Sequence, residues 1–408
     1  MKSKFIAITL ILSLVLTLGL LTACGQKQQE TPTPAPTAAP TQAPAQTPHA
    51  TEAPKATDAP APTEAPAPTE APEPTPEPEP ATRVVVDALG REVEVPSHPQ
   101  AVVITGPVFP NIMFALQGHM NNVVAIPKAA YTGWEKSLMR ELCPELEGVN
   151  ITVVSGNGIN MEELTVLKPD LVLCWDSATD TIDQLDDLGI PAFSFHSAKN
   201  LDTLAALITM MGDALNCADR AKELTDWYDE VQAYVETKQG QIEALSDEEK
   251  PRALTFSTLA DLSVYASGVD AWITEKAGGQ NIVLTDTERS NPNMEEILAY
   301  NPQIIFLSNW DDSVPDDLYE NRVEGQDWSN VDAVINHRVY KVPISIYRWT
   351  PPNTVEKPLY YLYMCSIIQP EIFAEIDMRQ AEKDFIREYF GVELTEAQLD
   401  YIFHADLY

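Results

Sequence analysis

The sequence predicts an α/β protein of two lobes, each built on a mostly parallel sheet, joined by one long helix. Three observations predict it. First, one stretch occurs twice: residues 160–173 and 293–306 both open Asn-Met-Glu-Glu and run through a proline, Pro169 or Pro302, into an apolar segment. Two copies this far apart indicate two similar lobes rather than a solenoid. Second, short unbroken apolar runs alternate with helix-length segments, as strands buried on both faces of a parallel sheet alternate with helical crossovers. Third, residues 218–245 hold no proline, and no glycine before Gly240. Leu224, Trp227, Tyr228, Val231, Tyr234 and Val235 recur there at helical spacing. This longest predicted helix falls between the two copies.

Each copy reads as cap, helix, tight turn and buried strand. Asn160 and Asn293 suit the N-cap, where a short side chain accepts from an orphan helix N–H. Glu163 and Glu296 complete a capping box. Pro169 and Pro302 end the helices, because the residue before proline is excluded from the α region. Strands follow at Leu171–Trp175 and Ile304–Leu307. Glu162 and Glu295 remain, either as first-turn acids that complement the helix dipole or as a matched pair of exposed carboxylates, one per lobe, offered to a partner.

From its start, the chain opens with a targeting segment, Met1–Cys24. Lys2 and Lys4 precede the apolar run Phe5–Leu21. Its length also admits a transmembrane helix, but Leu21-Thr22-Ala23-Cys24, followed by Gly25, resembles the bacterial lipobox. That implies cleavage before Cys24 and a lipid on that cysteine. Residues 25–82 are rich in Pro, Thr, Ala and Glu, and 16 of the 33 prolines fall between 32 and 80. Such a segment cannot bury enough apolar surface to fold and acts as an extended spacer. The folded part then divides into a first lobe at 83–217, a connecting helix at 218–246 and a second lobe at 247–408 that carries the C-terminal helices.

In the first lobe, Asp87–Gly90 is a turn between two β-rich runs, hence a hairpin. Strands are expected at Ala101–Thr105, Val123–Ile126 and Ile190–Phe195 besides the repeat strand, with helices near 110–117, 180–188 and 200–216. The second lobe has strands at Ala253–Phe256, Ile304–Leu307 and Val339–Val342 and a helix at 270–277 before Gly278-Gly279. Two helices close the chain, near 371–389 and 395–403.

The formal charge of −35 argues against nucleic acid and anionic lipid as main partners. Cys143, Cys174, Cys217 and Cys365 show no metal or redox spacing, and Cys174 reads as a free core thiol. The six histidines show no paired spacing, so no metal site is expected. Gly156-Asn157-Gly158 lacks the Lys-Ser/Thr pair of a P-loop. No hydrolase or metalloprotease motif is present, so the chain does not read as an enzyme.

At this point the chain resembles a known family, the substrate-binding lipoproteins of ABC importers for iron–siderophore, haem and cobalamin. The hairpin Asp87–Pro96, the twin repeats, Asp332–Tyr340, Pro370–Asp377 and Phe385-x-x-x-Tyr389-Phe-Gly-Val carry the resemblance, which spans about 83–405. It implies the class III periplasmic-binding-protein fold, two Rossmann-like lobes joined by a rigid helix. Glu162 and Glu295 fall where the family docks onto permease arginines. The expected function is therefore capture of an iron chelate between the lobes and delivery to a permease dimer with its ATPase. Haem or a corrinoid is the alternative ligand, and an extracellular sensor, adhesion module or enzyme the remaining ones. The expected protein is a monomer with no cofactor of its own, held through Cys24 on the extracytoplasmic face of a bacterial membrane.

Ligands of open α/β sheets sit beyond the carboxyl ends of strands. The segments there offer Tyr131, Trp134, Trp175, Trp310, Tyr347, Arg348 and Trp349. Flat aromatics with a cation suit a bulky anionic chelate. Trp175 and Trp310 would equally serve to plug the sheet ends, and Tyr131 or His196 would serve as a metal ligand in a haem reading.

Overall fold

The computed structural model describes residues 80–155, 158–283, 285–350 and 352–407. Residues 1–79, with the expected signal segment, Cys24 and most of the spacer, lie outside them.

Each repeat forms a short helix and a strand: Met161–Leu167 with Leu171–Trp175, and Met294–Tyr300 with Ile304–Leu307. The Asn293 box is complete, with N–H donation to Asn293 from Glu296 (3.0 Å) and back to Glu296 from Asn293 (2.8 Å). In the first copy Asn160 caps Glu162 and Glu163, but the Glu163 carboxylate accepts from Thr152 Oγ1 at 3.2 Å instead. Both helices end on a left-handed residue, Lys168 (φ 49°) and Asn301 (φ 45°), each placed before a proline that shuts out the right-handed helix.

The two lobes are built on separate sheets. In the first, strands Val123–Ala125, Val102–Ile104, Leu171–Trp175 and Ala192–Phe195 lie side by side in that order, all parallel. In the second, Arg252–Thr258, Ile304–Leu307 and Val339–Lys341 are parallel neighbours. Ser263–Tyr265 and Arg289–Ser290 extend that sheet antiparallel beyond Arg252–Thr258. These two added strands are too short to carry a periodic signal. The hairpin Thr82–Val86 with Glu92–Pro96 is a separate two-stranded sheet, tied to the first lobe where Asp87 accepts from Ser194 Oγ.

The connecting helix is Ala218–Glu236; it ends before the expected boundary, and a short helix, Gln239–Glu243, follows it. The predicted helix at 371–389 begins only at Met378, where the Asp377 side chain accepts from Gln380 N. A helix at Lys357–Ile368 was not expected. It is apolar on nearly every face and so lacks the polar stripe that would give it a period.

One core runs through both lobes. Trp227 of the connecting helix stacks on Phe385 at 4.6 Å, and Phe114 of the first lobe stacks on Phe390 at 5.4 Å. Tyr228 Oη donates to the Val355 carbonyl at 2.9 Å. At roughly 25 cal/mol per Å², and about 150–250 Å² per ring, each such aromatic contributes about 4–6 kcal/mol of gross transfer free energy. The lobes are thus clamped by packing around the connecting helix as well as joined by it.

Candidate ligand-binding cleft

Residues 344–350 and 352–356 lie between the lobes and together are called the strap. On the second-lobe side, the buried Glu356 carboxylate accepts the N–H groups of Ile346 (3.0 Å) and Tyr347 (2.8 Å). Lys357 Nζ, also fully buried, donates to Asp270 Oδ1 (3.0 Å) and to the carbonyls of Trp349 (2.9 Å) and Thr350 (3.0 Å). Burial pushes the Asp270 carboxyl up to about 6 even against the pull of Lys357. On the first-lobe side, Tyr347 Oη donates to the Pro107 carbonyl, Val355 N to Asn111 Oδ1, and Ala198 N to Asn353 Oδ1, each at 2.8 Å.

Beside the strap lies a cleft of about 300 Å³, lined by Trp175, Asp176, Glu288, Arg289, Trp310 and Asn353 among others. Its walls come from both lobes. Trp175 ends the repeat strand of the first sheet and rests on Phe109, ring centroids 4.3 Å apart. Trp310 follows the repeat strand of the second sheet, and its Nε1 donates to Tyr265 Oη at 2.9 Å. The loop bearing Trp310 is gathered around one ammonium: Lys341 Nζ donates to the carbonyls of Ser308 (2.6 Å), Asp311 (3.1 Å) and Ser313 (2.7 Å). Burial pushes that lysine down to about 8.

Two guanidinium groups address the Trp310 ring, Arg348 at 4.6 Å and Arg289 at 5.9 Å from its centroid. Their roles differ. Arg348 is 2% exposed and donates from Nε to the Asn309 carbonyl at 2.8 Å, so it braces the wall. Arg289 is exposed, stands 5.3 Å from the Tyr265 ring, and has no carboxylate ion pair among the described residues. It is an exposed cation in the lining of the cleft. Asp176 is paired with His196 at the rim.

Of the residues expected at the ligand, only Trp175 and Trp310 line this cleft. Trp134, Tyr347 and Trp349 are corrected to core positions. Trp134 donates from Nε1 to the Cys143 carbonyl at 2.9 Å, Tyr347 lies under the strap, and Trp349 packs edge-on to Tyr363 and Phe403. All three are at most 2% exposed, so their rings present no face to a solute. Arg348 is corrected to a brace for the reason just given. Tyr131 is half-buried against Trp134 at 5.0 Å and does not line the cleft. Sequence reasoning missed Glu288 and Arg289 because they lie at an antiparallel edge strand, away from the parallel strand ends that the rule searches.

Glu162 and Glu295 are exposed in the first turns of their helices, outside the cleft. Among the described residues no three His, Cys, Asp or Glu side chains converge to hold a metal, no helix is long and apolar enough to cross a membrane, and all four cysteines are unpaired. The cleft presents aromatic faces and mixed charge.

Residues 102–345 match the sequence pattern of the periplasmic binding protein family. The chain is 33% identical to a periplasmic solute binding protein from Veillonella parvula, whose crystal structure superposes with a TM-score of 0.73 over 80% of this chain and 98% of that one. It is 24% identical over 338 residues to the molybdate-binding protein MolA of Haemophilus influenzae, covering 76% of this chain and 91% of the relative. An ABC transporter substrate-binding lipoprotein of Bacillus subtilis, YvrC, is 25% identical over 66% of this chain and 81% of its own.

Proposed function

The chain belongs to the periplasmic binding protein family, and we propose that it captures a compact anionic metal chelate of the siderophore type between Trp175 and Trp310. Its relatives make it a substrate-binding protein of an ABC importer, which works with a permease and an ATPase. The observation that carries the ligand reading is Arg289: an exposed guanidinium with no carboxylate partner among the described residues, beside a tryptophan from each lobe. Such a site suits a flat or aromatic anion, which gains both ring contact and charge-assisted hydrogen bonds.

Cleft size supports a compact ligand. About 300 Å³ lies at the small end of small-molecule sites, which favours a compact chelate over a corrinoid. A bare oxyanion is the second reading, favoured by the same small volume and by the molybdate-binding Haemophilus relative. The carboxylates Asp176 and Glu288 in the lining oppose it, because a small anion has no second surface to keep them hydrated.

Delivery rests on Glu162 and Glu295, which in this reading dock onto basic permease sockets, one per lobe. Their exposure and their equivalent places in the repeat support that role. Cys24 would carry the lipid that holds the protein at the extracytoplasmic face of the membrane.

The test is a tryptophan-fluorescence titration with ferric siderophores, haemin, cyanocobalamin and molybdate. Saturable quenching by a ferric siderophore is the expected result. A response to molybdate alone selects the oxyanion, and a response only to haemin or cyanocobalamin overturns the compact-chelate reading.

A further inference from the structure

A second cavity, of about 270 Å³, shares no residue with the ligand cleft. One wall is the connecting helix, with Gln232 and Glu236, together with Asp202 near the start of the helix Leu201–Leu215. The opposite wall is the second-lobe helix Val269–Lys276, with Trp272 and Lys276, backed by Tyr361. The Trp272 and Tyr361 rings stand 5.4 Å apart at 52° and form an aromatic corner.

The charges in this cavity are divided and unmatched. Among the described residues neither the Lys276 ammonium nor the Glu236 carboxylate has an ion pair or side-chain hydrogen bond, although both line the same space. Asp202 accepts one bond, from Gln232 Nε2 at 3.1 Å, which keeps its charge on the Glu236 wall. Asp202 and Glu236 are exposed and Lys276 is half-buried, so water serves these charges until a bound solute displaces it, and the solute must then supply the partners. The solute that answers this arrangement carries both signs. Its carboxylate would meet Lys276, its ammonium the Glu236 and Asp202 wall, and its alkyl or N-methyl groups the indole face.

We propose that this cavity binds a small zwitterionic solute of the amino-acid or betaine class. Bound there, the solute bridges the connecting helix and a second-lobe helix.

Isothermal titration of the full chain with glycine betaine and with 5-aminopentanoate tests this. Saturable millimolar binding of one probe is expected, weakened about tenfold, equivalent to about 1.4 kcal/mol, by Lys276→Gln and likewise by Glu236→Gln. The two substitutions lie on opposite walls, and unchanged melting without probe shows that each variant is folded. Absence of binding at millimolar concentration overturns the proposal. So does binding that neither variant weakens, since the heat then comes from elsewhere.

Discussion

Gly133 lies so close to the hydroxyl end of Tyr347 that a methyl group placed on it would overlap the ring and its oxygen. Tyr347 cannot retreat, because its hydroxyl is tied to the Pro107 carbonyl and its backbone to Glu356. Two effects oppose each other in Gly133→Ala. Helix propensity favours alanine by about 1 kcal/mol, whereas overpacking costs about 1–3 kcal/mol. The clash should win, so the variant unfolds at lower denaturant. In a Tyr347→Ala background the same substitution should become stabilising, and a double-mutant cycle by urea unfolding reads the change of sign.

Ligand affinity should separate the tryptophans. Trp175→Ala, Trp310→Ala and Arg289→Gln should each weaken binding roughly 10–100-fold, the range of about 1.4–3 kcal/mol for a buried aromatic contact or a hydrogen bond to a charge. Trp134→Phe and Trp349→Phe should leave it within a few-fold. Calorimetry with the ligand found by fluorescence measures both sets, and equal losses across them would return the buried rings to the binding site.

Transport and binding should also come apart. Glu162→Ala with Glu295→Ala should abolish uptake of labelled ligand by cells while the purified protein keeps its affinity. Normal uptake by the double variant would remove these carboxylates from docking.

Lys357→Met should be severe. It leaves Asp270 buried without its cation and strips two carbonyls of the strap of their donor. Breaking a buried pair from one side costs about 3–5 kcal/mol. Replacing both partners with Lys357→Met and Asp270→Leu should cost less than the single change, as chemical denaturation will show.

Glu356 and Glu382 make stability depend on pH. Both are fully buried, and Glu382 accepts from Ser345. Burial raises both carboxyls, Glu356 to about 7, and the charge of Glu356 raises Glu382 further. A folded-state value above the unfolded one means stability that is whole below the usual carboxylate range and is lost as pH rises through about 7. Glu382→Gln should flatten the fall in unfolding free energy between about pH 5 and about pH 8. A variant that retains the full slope would locate its source elsewhere.

The fold was legible in the sequence where local chemistry decided it. The Asn caps, Pro169 and Pro302, and the apolar runs after them gave the repeat units and hence the two parallel sheets. What escaped notice depended on three-dimensional context. The helix Lys357–Ile368 is buried on nearly all sides and has no stripe to read. For the cleft, the strand-end rule led to Trp175 and Trp310, but it equally selected Trp134, Tyr347 and Trp349. A tryptophan beside a strand end looks the same in sequence whether it lines a cleft or plugs a core. Arg289 is the reverse case, since the edge strand that presents it forms only by pairing with Ser263–Tyr265.

The strap has a consequence for how the molecule is made. Two of its residues, Asn353 and Val355, come late in the chain, yet they supply bonding partners to Ala198 and to Asn111 in the first lobe. A ribosome delivers the first lobe long before it delivers those partners, so that lobe cannot finish its inner surface during synthesis. Contacts so distant in sequence also make folding slow. A chain that is slow to commit stays thread-like for longer, and that is the form in which a polypeptide is drawn through a narrow export channel.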